Sequence, residues 1–292
     1  MKTRIISGLI GVVVLLLALT QFHTWIANVL IYGLYAVAVH EIHNAFKEKN
    51  VGATEILLDF IGLLVIVVPN FYTYTTYMPI AAITAVGFAF IVVLNFDNIN
   101  FTSIASEIAF SLYALVGFYS IIRFKMLLPY TPFGWDGAFL FLMACGIAWG
   151  GDVFAYFSGY FFGKNKLAPT LSPKKTKEGA VGGVMGSVVI SWLFMLAYSS
   201  LKPILEHSSV DYKFTMESLI AVGFIAAMGS VVGIVGDLFA SAVKRQVGIK
   251  DYGNLMPGHG GVMDRFDSVL LVAPIVSCFL DVVIKAGGIF YV

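Results

Sequence analysis

The sequence predicts an all-α, polytopic integral membrane protein with about nine transmembrane helices and a cytoplasmic N-terminus. Three observations predict it. Hydrophobic residues fill 59% of the 292 positions and charged residues 12%, about half the ~25% charge of a soluble domain. The mean hydropathy is +0.89. Apolar runs of membrane-spanning length recur along the chain, and polar residues gather between them. The net charge of +1 gives no ground for a nucleic-acid partner.

A span needs roughly 17–25 apolar residues. The candidate segments are 5–20, 25–45, 55–69, 77–95, 104–122, 135–162, 179–200, 216–243 and 267–290. The first follows a short basic start, Lys2 and Arg4. It lacks a small-x-small cleavage site and reads as an uncleaved span. The third is short, ends at Pro69-Asn70 and carries Asp59. Lysine and arginine in short loops set the orientation. With the N-terminus inside, the loops 46–54 (Lys47, Lys49), 96–103, 163–178 and 244–266 are cytoplasmic. Arg123 and Lys125 fall on the outer side, against the trend, and 201–215 reads as an external connector. Cys145 and Cys278 lie in apolar runs and read as small buried hydrophobes.

The polar stretch Ser241–Asp267 stands out between two apolar runs. It holds Lys244, Arg245, Lys250 and Arg265, three carboxylates (Asp251, Asp264, Asp267), His259 and five glycines. Charge at a membrane is costly and marks a site. Asp237, Ser241, Lys244 and Arg245 fall at i, i+4, i+7 and i+8, one helical stripe. Such a stripe suits a metal ion beside phosphates; the plain alternative is an ion pair between Asp237 and Lys244. In Pro257-Gly258-His259-Gly260-Gly261, glycine lets a ligand approach the main chain, and successive N–H groups can form an anion nest. Asp264 and Asp267, three apart, suit a hard cation. Taken singly, each aspartate reads as a helix cap; the cluster carries the inference.

A second polar region is 150–179. Asp152, Tyr156, Gly159 and Gly163 share a helical face, with Asp152 roughly 16 Å inside the end of that helix and buried. Ser172, Lys174, Lys175 and Thr176 belong to a lysine- and hydroxyl-rich loop, Ser172–Gly179, suited to phosphate. A positive-inside loop explains its lysines but not Asp152. Gly159/Gly163, Gly182/Gly186 and Gly229/Gly233 read as close helix contacts. His40-Glu41-Ile42-His43 lacks the i, i+4 histidine spacing of a zinc helix. Glu41 remains a further candidate, and Asp59, Glu107 and Asp281 are isolated acids, functional or paired.

These residues resemble the phosphatidate cytidylyltransferases, also called CDP-diacylglycerol synthases. The resemblance rests on Ser241, Lys244-Arg245, Lys250-Asp251, Gly253, Pro257, His259-Gly260-Gly261, Asp264-Arg265 and Asp267, with Gly151–Tyr156 and Ser172–Gly179 upstream. Met256 departs from a position where the family prefers Leu, Ile or Phe. The resemblance implies that CTP and phosphatidate give CDP-diacylglycerol and pyrophosphate with Mg²⁺, a second cation being left open. It also implies a helical, membrane-embedded homodimer with its site open to the cytoplasm. Asp237 and Asp264 are then the cation ligands. Lys244, Arg245, Lys250 and Arg265 neutralise phosphate charge, and Ser172, Lys174, Lys175 and Thr176 bind nucleotide or pyrophosphate. Asp152, Asp251, His259 and Asp267 orient or ligate. Residues 1–134 form the N-terminal membrane helices and 135–292 the catalytic part, with loops 163–178 and 244–266.

Two alternatives stay open at this level. One is a CTP-dependent enzyme acting on another lipid, such as a polyprenol kinase or an archaeal-lipid cytidylyltransferase. The other is a cation or organic-phosphate transporter, disfavoured because transporter sites lie near midplane and this charge lies toward one face.

Overall fold

The computed structural model describes residues 2–46, 52–67, 74–98, 100–130, 134–205, 215–255 and 260–285. Lys47, Lys49, Pro69-Asn70, 206–214 of the connector, and Met256, Pro257, Gly258 and His259 lie outside the described residues. The protein is an all-α membrane protein. Among the described residues, five helices are long and apolar enough to cross a membrane: Trp25–Phe46, Phe101–Leu127, Asp136–Phe162, Lys177–Leu201 and Met216–Gln246. Ala82–Leu94 and Val269–Val283 are shorter apolar helices. The chain divides into two compact units, Met1–Ile122 with Gln246–Phe266, and Arg123–Arg245 with Asp267–Val292.

The first unit holds α1 (Lys2–Thr20), α2 (Trp25–Phe46), α3 (Gly52–Gly62), α4 (Tyr74–Leu94) and α5 (Phe101–Leu127) up to Ile122. Its core gathers Tyr35, Ile42, Leu58, Ile66 and Phe118, all buried. A π-helical turn, Leu63–Val67, follows α3, and Asn28 Nδ2 donates to Ile66 O at 2.9 Å. The Tyr35 ring occupies the space a Cβ at Gly62 would need, so only glycine admits it there. The isolated acid Glu107 is 1% exposed and partnered by His43 at 2.9 Å and Thr54 at 3.2 Å. That resolves it as a paired structural carboxylate. Phe110 packs on Tyr252 (ring centroids 5.5 Å) and Phe118 on Phe266 (5.4 Å), seating the 246–266 segment on α5.

The second unit runs α6 (Asp136–Cys145), a π-helical turn (Gly146–Gly150) and α7 (Gly151–Phe162) as one continuous span. It then forms β1 (Lys166–Ala168), β2 (Ser172–Thr176), α8 (Lys177–Leu205), α9 (Met216–Gln246, to Arg245 in this unit) and, after α10 (Met263–Phe266, first unit), α11 (Val269–Lys285). A π turn widens the helix and weakens the hold on its carbonyls; here Ser187 Oγ donates to Ile147 O at 2.9 Å. The helices α7 and α8 pack through small residues. A Cβ at Gly182 would collide with Ser158, and one at Gly186 with Phe154. Gly229 and Gly233 face Ile147 and Val272. These are the close contacts expected of small residues at helix interfaces. The loop 163–178 is more ordered than its lysines suggest. It folds into an antiparallel hairpin with Lys166 opposite Thr176 and Ala168 opposite Ser172. Asp281, the other isolated acid in this unit, pairs with Arg123 at 3.2 Å.

Candidate active site

In the second unit, the hairpin and the start of α8 face α7 and α9 across a cavity of about 540 Å³. Its polar lining is Asp152, Tyr156, Tyr160, Lys166, Lys174, Lys175, Thr176 and Asp237. Three local devices build it. Thr176 caps α8, its Oγ1 accepting from Gly179 N at 3.1 Å. The Glu178 carboxylate accepts from Lys164 N (3.1 Å) and from Asn165 N and Nδ2 (3.2 and 2.7 Å), which ties the end of α7 to the start of α8. Gly159, Gly163 and Gly179 leave room for the Thr176 side chain, since a Cβ at any of them would come within 2.9 Å of Thr176. Lys174 and Lys175 are thereby held on a fixed strand register.

An ion pair joins the hairpin to α9. Asp237 pairs with Lys175, 62 positions away. Both side chains are about one-quarter exposed. Ser241 Oγ also donates to Asp237 Oδ1 at 3.3 Å, as their i, i+4 spacing implies. Asp152 lines the cavity and is exposed to it, correcting the expectation of burial. Its helix carries glycine and tyrosine, not bulky apolar side chains, on the cavity face.

Asp267 adjoins this group. A Cβ at Gly236 would come within 2.7 Å of Asp267 O, so glycine lets α9 approach the main chain there. The Asp267 carboxylate is half-buried, and its Oδ1 accepts from Ser268 N at 2.8 Å. Asp237, Asp152 and Lys244 are the charged groups that act on it. Ser268 Oγ reaches Asp152 Oδ2 at 3.5 Å. Ser172 sits at the turn end of β2 opposite Ala168 and is not among the cavity-lining residues. Arg245 is exposed at the end of α9.

The remaining candidates belong to the first unit. Asp264 Oδ2 accepts from Tyr252 N at 2.8 Å and Gly261 N at 3.0 Å, closing the 252–264 loop on itself. Gly260 takes φ +88, a left-handed conformation that favours glycine. Lys250, Asp251 and Arg265 are exposed. His259 lies outside the described residues. Glu41, 5% exposed, reaches this loop from α2, accepting from Val262 N and Met263 N at 3.0 Å each. Sequence reasoning flagged Glu41 without a partner. The available signal was an acid in an apolar span, which must be satisfied by something outside that span.

Among the described residues, no three His, Cys, Asp or Glu side chains converge on one point as a ready-made metal cage. Mg²⁺ asks for one or two carboxylates and completes its shell with water and phosphate oxygens; Asp152 and Asp237 on the cavity wall are carboxylates of that kind.

A family model described as the cytidylyltransferase family matches residues 2–283. The chain is similar to the phosphatidate cytidylyltransferase of Bacillus subtilis (strain 168), 32% identical over 287 residues that cover 94% of this chain and 95% of the relative. It is 29% identical over 283 residues to that of Staphylococcus saprophyticus, covering 96% of this chain and 99% of the relative. With that of Thermotoga maritima it shares 37% identity over 146 residues, half of this chain (50%) and 49% of the relative.

Proposed function

The chain belongs to the cytidylyltransferase family, and from this we infer that it transfers the CMP moiety of CTP to phosphatidate, giving CDP-diacylglycerol and pyrophosphate. A phosphatidate oxygen attacks the α-phosphorus of CTP; the new P–O bond forms as the bond to the β-phosphate oxygen breaks, and pyrophosphate leaves with the electron pair. Both reactants are polyanions, so the barrier is dominated by charge repulsion, and fixed cations are the physical answer. The observation that carries the reading is the cavity where Lys166, Lys174 and Lys175 meet Asp152 and Asp237. It offers phosphate-binding cations and cation-binding carboxylates in one place.

In this reading, Lys175 holds Asp237 in the resting protein and turns to the triphosphate when CTP binds. Lys174 and Thr176 join it, the Thr176 hydroxyl still able to donate while its oxygen accepts from Gly179. Asp237 and Asp264 are the proposed ligands of Mg²⁺, which would neutralise phosphate charge at the reacting centre. Lys244, Arg245, Lys250 and Arg265 offset phosphate charge, Ser172 assists nucleotide binding, and Asp152, Asp251, His259 and Asp267 orient or ligate. The proposal extends to nine spans, a cytoplasmic N-terminus, a site open to the cytoplasm, a homodimer, and 135–292 as the catalytic part.

The test is transfer of label from α-labelled CTP into phosphatidate by purified protein in detergent, with Mg²⁺ and then with EDTA. Metal-dependent label in the lipid phase is expected. Label entering a polyprenol or an ether-lipid phosphate, but not phosphatidate, would reassign the acceptor. Solute flux in proteoliposomes without CTP turnover would replace the reading with transport.

A further inference from the structure

Within the first unit, two carboxylates hold the main chain at Tyr252 and at 261–263. Asp264 takes the N–H groups of Tyr252 and Gly261. Glu41 takes those of Val262 and Met263, one on each oxygen at 3.0 Å. Val262 and Met263 are fully buried and Glu41 is 5% exposed, so these N–H groups have no water to turn to and a lost acceptor is costly. The glycines of the loop are shaped around the same side chain. A Cβ at Gly253 or at Gly261 would run into the Glu41 carboxylate. An acid 221 positions before Val262 is therefore the template on which the segment carrying Asp264 and Arg265 is folded.

We infer that Glu41 is a positioning residue for the reaction: its carboxylate fixes the main chain at 261–263 and thereby sets where Asp264 and Arg265 stand. The inference rests on the functional reading above, in which those two side chains act on the reacting phosphates. Both oxygens of Glu41 accept, and glutamine offers only one acceptor, its NH₂ facing the second N–H. A shift of about 1 Å in a reacting group can cost on the order of 10²-fold in rate.

The experiment uses the purified full chain in detergent. Glu41→Gln is expected to lower kcat on the order of 10²-fold while KM for CTP stays close to wild type, because the nucleotide is bound by the hairpin lysines. Amide exchange in peptides covering 260–266 is expected to speed up about tenfold or more. Glu107→Gln disturbs another buried carboxylate of the same unit and serves as the fold control. It is expected to lower the thermal midpoint and leave kcat and 260–266 exchange as they were. Gly253→Ala, which pushes into the carboxylate, is expected to lower kcat alone and to add no further loss to Glu41→Ala. The inference is overturned if Glu41→Gln keeps wild-type exchange and kcat. It is overturned equally if Glu107→Gln reproduces both effects, or if Gly253→Ala and Glu41→Ala losses add in full. A wild-type protein that transfers no label defeats the functional reading instead, and the exchange data then decide on Glu41's hold over the loop by themselves.

Discussion

In the 252–264 loop of the first unit, Glu41 and Asp264 accept from four main-chain N–H groups. In the cavity of the second unit, Asp237 faces a lysine, and Asp237 and Asp152 both act on the charge of the adjoining Asp267. The chemical group, a carboxylate, is the same and the partners differ. A main-chain N–H cannot leave its acceptor without unfolding the segment, so the first arrangement stores shape. A lysine can turn from a carboxylate to a phosphate, so the second is open to exchange with ligands. Placing carboxylates among amides makes a scaffold, and placing them among lysines and other carboxylates makes a receptor for a polyanion and its cation.

The largest effect that could break this contrast is at Asp237. Asp237→Ala is expected to lower CMP transfer on the order of 10³-fold. Its pair with Lys175 is partly exposed and worth only about 0–1 kcal/mol, so the thermal midpoint should barely move. A large drop in the midpoint alongside the lost activity would make Asp237 a scaffold residue after all. Asp264→Ala comes next. Leaving two N–H groups without their acceptor costs about 1–3 kcal/mol each, so stability and transfer, the latter by on the order of 10²-fold, should fall together; a folded Asp264→Ala protein with wild-type transfer would remove it from the site. Lys175→Ala should raise KM for CTP about tenfold, a loss of about 1.4 kcal/mol of binding, with a smaller change in kcat. Unchanged KM in steady-state kinetics would show that the pair with Asp237 is its whole role. The smallest effect on rate is expected at Glu107, where Gln should destabilise by about 1–3 kcal/mol and leave transfer unaltered, as denaturation and label assays on one preparation would show.

The helical, apolar architecture was legible because membrane-length runs leave few alternatives. Gly182 and Gly186 were legible for the same reason, since small residues at helical spacing mean close approach. Asp237, Lys175 and Thr176 could each be named as site residues, but the Asp237–Lys175 pair could not. Helical periodicity offers Asp237 only neighbours on its own helix, and the hairpin register that brings Lys175 to it is a long-range property. The hairpin itself was hidden because Ser172–Thr176 contains a proline and two lysines, poor strand formers; capping by Thr176 and closure by Glu178 decide it. Glu41 shows the same limit more sharply. Its four-residue neighbourhood, His40 to His43, lacks the spacing of a zinc helix and offers no partner, and its actual partners are two amides far along the chain.

The π-helical turn at Gly146–Gly150 has a consequence for what mutations this protein can absorb. Such a turn accommodates one more residue than a regular helix of the same rise, and each residue in a helix is worth about 100° of rotation. The extra residue is taken up inside the turn, so the helix beyond it keeps its facing. Losing one codon between 146 and 150 would return the span to regular α-helix with Asp152, Tyr156 and Tyr160 still turned to the cavity, whereas a deletion from the regular helix at 153–155 would rotate Tyr156 and Tyr160 by about 100° relative to Asp152. The turn is thus a stretch where length can give and chemistry cannot: a Cβ at Gly150 would collide with Ile190, and one at Gly146 with Phe194.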